Sequence, residues 1–365
     1  MIDWLSLKIN ADVVPIEFLQ QYATTQDRII RISGNGEKQW ETIAWESVRS
    51  DSHQIALQVT GNYIRIQGSP ARVIADGDNV FSSGASASGD LRGCFERMVS
   101  FVIQQTGIPL PSMPDCWKLT RVDVTCNLHL GTLPAVRQAL SILRDCEGGR
   151  YRVSQQAGDT VYWSHRSRLR AGKAYAKGAE LMQKTAALAK KQRQFDSMPR
   201  TYELEEMALA AGLLRLELKL GAQFWRRYAD EGQHWYHVTP EFLHEQWESY
   251  FSRMIGGADM PLDQNIYERL LEVVERKDDG KPKEGQAKAA YGLWLMIQDR
   301  GWQAARDYTT PRTWYRNLKI IHAAGLSDAD ISKGKVIPLR REILKAVPVH
   351  SWSQLRQVAN SPTFH

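Results

Sequence analysis

Cysteine is scarce: the four residues Cys94, Cys116, Cys126 and Cys146 match the spacing of neither a zinc ribbon nor a short disulfide scaffold. A structural zinc site and a stapled small fold are therefore excluded, and reduced thiols are expected. No run approaches the eighteen or more apolar residues of a membrane span, and Met1-Ile2-Asp3-Trp4-Leu5 does not open a basic and apolar leader, so a soluble intracellular protein is expected. There is no Gly-x-x-x-x-Gly-Lys-Ser/Thr loop, which argues against nucleotide hydrolysis. No His-x-His pair occurs among nine histidines, so carboxylates would have to supply most of any metal site. Acidic residues are nearly missing from residues 161–200, where ten Lys and Arg face only Glu180 and Asp196, a local charge of +8 in a chain of +6. A phosphate backbone suits such a stretch; a solvated helix face at Lys184, Lys190 and Lys191 is the other reading.

With 365 residues, 43% of them hydrophobic, the chain can build real cores in about two to three domains. Residues 2–9, 29–34, 53–59 and 62–67 are short β-branched or alternating runs broken by Gly34-Asn35-Gly36 and Gly61-Asn62, and are expected to form sheet. Asp90 is placed to cap a helix whose Leu91, Phe95, Met98, Val99, Val102 and Ile103 keep helical spacing, with a mobile loop expected before it at 84–89. From Trp117 the expected order is a strand to Asn127, a helix over 133–146, strands over 160–165 and 170–177, a long helical region to Ala211, and a strand over 213–220. That β-α-β-β-α-β order is the split βαβ sandwich of ferredoxin-like folds. It gives an α+β domain over 1–225, with 1–110 and 115–225 as candidate degenerate copies. A tryptophan-rich helical domain is expected over 226–365, with helices at 263–277, 286–300, 302–307 and 311–324. The last has Thr310 as N-cap, Pro311 at N1 and Gly325 as C-cap, and a helix-turn-helix is the natural reading.

Three expected strands alternate polar with apolar residues: Arg121-Val122-Asp123-Val124-Thr125, Lys173-Ala174-Tyr175-Ala176-Lys177 and Arg215-Leu216-Glu217-Leu218-Lys219. Successive side chains of a strand point to opposite faces. If the three strands are adjacent and in register, one face gathers Asp123, Glu217 and Tyr175 among cations. Two carboxylates can hold a hard ion such as Mg2+ or Mn2+ and still leave sites for phosphate oxygens. A tyrosine hydroxyl becomes a useful nucleophile when Lys173, Lys177 or the ion favours its phenolate. Pattern alone leaves open an ordinary sheet with weak surface ion pairs. Nor does it choose between Tyr175 and Tyr162 of Thr160-Val161-Tyr162-Trp163.

Further blocks follow in order: Met1-Ile2-Asp3-Trp4-Leu5, Gly68-Ser69-Pro70-Ala71-Arg72-Val73 running on to Asn79-Val80-Phe81, Thr120-Arg121-Val122-Asp123, Thr160-Val161-Tyr162-Trp163, Ser167-Arg168, Lys173 to Glu180-Leu181, and Leu214-Arg215-Leu216-Glu217. Together they resemble the gene II replication initiators of filamentous bacteriophages, a family of rolling-circle initiators. The C-terminal third resembles them mainly through Thr313-Trp314-Tyr315-Arg316. Arg65 and Asp78 stand where an acidic residue and a histidine occur in a relative.

The resemblance implies that Tyr175 is the nucleophile, cutting one strand of a duplex origin and remaining on its 5′ phosphate. The 3′ hydroxyl would prime a host polymerase, a host helicase would unwind, and the displaced single strand would be rejoined into a circle in the host bacterial cytoplasm. Lys173 and Lys177 would assist, and Asp123 and Glu217 would hold the ion. Arg121, Arg166, Arg168, Arg170 and Arg215 are candidate DNA contacts, as are Arg312, Arg316 and Lys319 on the last expected helix, whose Trp314, Leu318 and Ile321 would pack inward. An internal start at Met254, Met260 or Met296 would give a shorter regulatory partner. The alternative is a DNA-binding replication regulator that does not cut.

Overall fold

The computed structural model describes residues 1–25, 27–49, 54–60, 62–74, 78, 80–145, 153–154, 158–191, 202–255, 266–326, 331 and 346–360. Asn79, Met260 and the expected helical stretch over 192–201 lie outside them. The strands are β1 (Ile2–Asn10), β2 (Arg28–Ile32), β3 (Lys38–Ile43), β4 (Glu46–Arg49), β5 (Gln54–Val59), β6 (Tyr63–Gly68), β7 (Lys118–His129), β8 (Val153–Ser154), β9 (Thr160–Trp163), β10 (Arg170–Ala176), β11 (Leu213–Leu220) and β12 (Val347–Val349). β2 and β3 pair only with each other. The others form one sheet in the order β4-β5-β6-β1-β7-β11-β10-β9-β8, with β12 also on β7.

The fold is mixed α and β around this antiparallel sheet, and the spatial order departs from the expected ferredoxin-like one. Such a unit would set its first strand between its third and fourth. Here β7 has the fourth strand, β11, on one edge, but β1 occupies the other edge from Ile2 to Lys8. The third strand, β10, is therefore displaced to the far side of β11.

Leu5, Leu7 and Ile9 of β1, Val122 and Val124 of β7, and Leu214, Leu216, Leu218 and Leu220 of β11 belong to one buried core. Helix Leu91–Thr106 contributes Phe95, Met98, Val99 and Val102, and helix Leu133–Asp145 contributes Val136, Leu140 and Leu143. The first is capped as its sequence requires, with Asp90 Oδ1 accepting the Gly93 amide at 2.9 Å. Residues Gly84–Ser88 form a short helix where a mobile loop was expected. The buried Ser86 hydroxyl donates to Ile2 O at 2.7 Å and ties that segment to β1.

The sheet core also runs past residue 225. Phe224, Trp225, Trp235, Leu243, Tyr250 and Phe251 belong to it, carried largely by helices Ala222–Asp230 and Pro240–Ile255. A separate core joins helices Ile266–Val273, Glu284–Arg300, Trp302–Asp307 and Pro311–Ala323 through Leu270, Leu293, Ile297, Trp314, Leu318 and Ile321. The chain then returns to the sheet. Val347–Val349 pairs with His129–Asn127 of β7, and Leu355 packs with Ala210 and Leu213. The expected 226–365 unit is thus split, because its first two helices and its last strand bury their apolar residues on the sheet. No helix among the described residues is long and apolar enough to cross a membrane.

Candidate active site

The side of the sheet opposite the apolar core carries the polar residues of five consecutive strands. β11 lies between β7 and β10, so Glu217 stands opposite Lys173 on one side and Thr125 on the other, and Lys219 stands opposite Asp123. A cleft of about 300 Å³ opens on this face, and Asp123, Glu217, Tyr175, Lys173, Lys177 and Arg121 all line it. Asp3 and Trp4 line it too. Consecutive residues of a regular strand would point to opposite faces; the register of β1 on β7 slips between Ile2 and Trp4, and this bulge re-aims the Asp3 side chain.

Each carboxylate of the cleft has a cationic partner. Asp123 is bound by the guanidinium of Arg121, with Nε–Oδ1 at 2.8 Å. Glu217 Oε2 lies 3.8 Å from Lys173 Nζ, Glu180 Oε2 lies 2.8 Å from Lys177 Nζ, and Asp3 Oδ1 lies 3.3 Å from Arg215 Nη1. Lys173 Nζ also sits 3.9 Å from the Tyr175 ring centroid, and Lys177 Nζ lies 5.8 Å from it. Both Tyr175 and Lys177 are buried, at 4% and 1% exposure, in the wall of the cleft. Ser69, another wall residue, has a buried hydroxyl without a hydrogen-bond partner among the described residues.

Burial sets the protonation states. It holds the Tyr175 phenol well above its ordinary value, against the opposing pull of Arg215. The expectation that Lys173 and Lys177 favour a phenolate is opposed here by burial, the largest influence on the phenol. Glu217 is pushed up to about 7, first by burial and then by the charge of Asp123 on the adjacent strand. Asp123 is also raised by burial, with Arg121 pulling the other way.

The predicted DNA contacts divide into four. Arg121 is in the cleft. Arg215, expected at the DNA surface, is fully buried: its Nε donates to Asn127 Oδ1 at 2.8 Å, and its other nitrogens meet Val80 O and Asp3. It faces Tyr175 across the β10–β11 ladder, and Val80 covers it. Arg166 and Arg168 are exposed in the β9–β10 turn, while Arg170, five residues before Tyr175, lies over the Phe224 ring at 5.2 Å and bonds Gln246. That end of β10 is about 17 Å from Tyr175. Arg312, Arg316 and Lys319 lie on the exposed face of Pro311–Ala323, with Trp314, Leu318 and Ile321 turned inward. Sequence reasoning missed Asp3, Glu180 and Arg72 as cleft residues. Only the i, i+3 spacing of Lys177 and Glu180 offered a local signal.

Among the described residues no three His, Cys, Asp or Glu side chains gather as a metal cage. The pair Asp123 and Glu217 nevertheless fits a hard divalent ion in chemistry. Both carboxyls are buried and raised, Glu217 in part by the charge of Asp123, and such a donor set is one that a cation stabilises.

The fold and cleft define a mixed α/β protein that presents a buried tyrosine, two carboxylates on adjacent strands and several cations on one side of an antiparallel sheet. The profile of a family described as the N-terminal part of the phage gene II replication-associated protein matches residues 1–244, and the chain belongs to that family. The replication-associated protein of the same description from Salmonella phage IKe is 23% identical over 333 residues, covering 81% of this chain and 77% of that protein. A solved rolling circle replication initiator protein from Geobacillus stearothermophilus matches at 12% identity over 63% of this chain and 78% of that one, with a TM-score of 0.26. That likeness carries no weight for the fold.

Proposed function

We propose that this phage replication protein initiates rolling-circle replication by nicking one strand of its origin with Tyr175. The observation that carries the reading is the position of the Tyr175 ring in the wall of the same cleft as Asp123, Glu217, Lys173 and Arg121. The phenol oxygen attacks one phosphorus, the bond from phosphorus to the 3′ oxygen breaks, and that oxygen takes a proton to become a 3′ hydroxyl. The 5′ phosphate stays on Tyr175. Run backwards on the displaced strand, the same exchange closes a circle without nucleotide hydrolysis.

Asp123 and Glu217 would hold Mg2+ or Mn2+, which when bound neutralises charge on the phosphate. Lys173 is shared between Glu217 and the ring face. Once Glu217 is neutralised, the ammonium acts on the phenol alone and favours loss of its proton. Arg121 and Lys177 would contact phosphate oxygens as their carboxylates yield. Helices 284–323 would carry origin recognition in a helix-turn-helix manner, with Arg312, Arg316 and Lys319 toward the duplex. A host helicase, a host polymerase and a shorter C-terminal product would be the protein partners.

Incubation with supercoiled origin DNA and Mg2+ is expected to give nicked circles with protein attached. A Tyr175→Phe variant should give none, and an adduct formed by that variant would overturn the assignment.

A further inference from the structure

The polar face of the sheet does not end at the cleft. Along β1 the residues Trp4, Ser6 and Lys8 share one side, and Trp4 lines the cleft. The Ser6 hydroxyl bonds Gln67 Oε1 at 3.0 Å, and Gln67 is also a cleft residue. Two residues further on, Lys8 stands opposite Arg65 of β6 on one edge and Lys118 of β7 on the other. Three strands thus place three cations side by side. The Lys8 pKa is lowered first by burial and then by the charges of Lys118, Arg65 and Arg226. Lys118, Arg65 and Arg226 are exposed, and the Arg65 guanidinium bonds the neutral Gln58 at 3.3 Å. Like charges directly opposite in a sheet destabilise it, so folding alone gives no reason for the arrangement.

An aromatic ring completes it. Tyr63, two residues before Arg65 on the same side of β6, is half-buried, with Lys8 Nζ 4.6 Å and Arg65 Cζ 6.0 Å from its centroid. At the other end of the path Arg121 Cζ lies 5.4 Å from the Trp4 ring. From Trp4 to Lys8 is about 13 Å along the strand. That is roughly four nucleotides at the rise of a stacked strand.

We propose that Lys8, Arg65 and Lys118 with Tyr63 form a second nucleic-acid subsite, which holds single-stranded DNA on one flank of the scissile phosphate as the strand leaves the cleft along β1. This rests on the nicking reading of the cleft. A sheet face that sets cations on adjacent strands beside rings for unpaired bases suits a single strand, whereas a duplex hides its base faces. The chemistry needs such a subsite: with the 5′ end fixed on Tyr175, a hold on the neighbouring nucleotides keeps the reacting ends together for rejoining.

The test uses the full chain carrying Tyr175→Phe, so that no bond is cut and binding is read by itself. Fluorescence anisotropy with a labelled single-stranded oligonucleotide, repeated across salt concentrations, gives the slope of log affinity against log salt. Adding Lys8→Gln, Arg65→Gln and Lys118→Gln is expected to reduce that slope by about 2, since each phosphate contact of a single strand contributes about 0.7. Oligonucleotides lengthened on one side of the cleavage site should lose their length advantage in the variant, and those lengthened on the other side should keep it. An unchanged slope in a variant with unaltered thermal unfolding would overturn the subsite, as would a slope that changes for duplex only. Should the triple variant not fold, Arg65→Gln alone, at an exposed side chain, must lower the slope by about 0.7. Absence of a covalent adduct with the unmodified chain would instead refute the nicking reading, and leaves the binding result standing.

Discussion

At pH 8 the Glu217 carboxyl is ionised within a buried cleft that already holds Asp123, and replacing it with glutamine removes that charge without changing its shape. In the folded chain its pKa stands at about 7, raised by burial and by Asp123, against about 4.3 for a free glutamate. The folded state therefore binds this proton more tightly than the unfolded state does. Stability due to Glu217 is full at low pH and falls as pH rises from the unfolded value toward 7, at about 1.4 kcal/mol per unit. Across the window the loss is on the order of 4 kcal/mol. Glu217→Gln should match the parent near pH 4, exceed its stability by up to about 4 kcal/mol at pH 8, and flatten the slope between. Urea unfolding at half-unit pH steps measures this directly. A variant whose stability curve runs parallel to the parent's between pH 4.5 and 7 would refute the account of the cleft. The same variant should lose nicking, so the residue's cost to folding and its use in the site are read from one substitution.

Arg215→Met should destabilise the fold by about 3–5 kcal/mol, because it leaves Asp3, Asn127 and Val80 O without their buried partner; equilibrium denaturation measures it, and a loss under about 1 kcal/mol would contradict the network. Gly178→Ala should also destabilise, by about 1–3 kcal/mol. A Cβ there would come within 2.5 Å of Ala211 Cα and 2.6 Å of Ala210 O, backbone atoms with little freedom to yield. Since Gly178 follows Lys177, nicking should fall more than stability does, and a stable, fully active Gly178→Ala chain would argue against Lys177 in the site.

Some of this was legible in the chain. The period-two alternation of Arg121 to Thr125, Lys173 to Lys177 and Arg215 to Lys219 assigns each polar set to one face whatever the strand order. The Asp90 and Thr310 caps, with hydroxyl or carboxyl placed to accept the third amide, were equally local. Arg215 was misplaced because an arginine in a strand is ordinarily solvated. Its burial depends on acceptors from Asp3, Val80 and Asn127, which no spacing near residue 215 reveals. The row of Lys8, Arg65 and Lys118 was hidden for the same reason: each is a single cation on its own strand, and only the register joins them.

By itself, then, the sequence determined which residues alternate, which helices begin where, and which polar side chains share a face, since these follow from the 2.0 and 3.6 residue periods of the backbone. Its ordered blocks also pointed to the family. The tertiary structure decided what those periods cannot encode. Every strand offers the same edge of amides and carbonyls, so the choice of β1 as β7's neighbour comes from the packing of the whole sheet. Burial, a property of that assembly, then fixes which cations are spent in the core, which remain beside the cleft, and how strongly Tyr175 and Glu217 hold their protons.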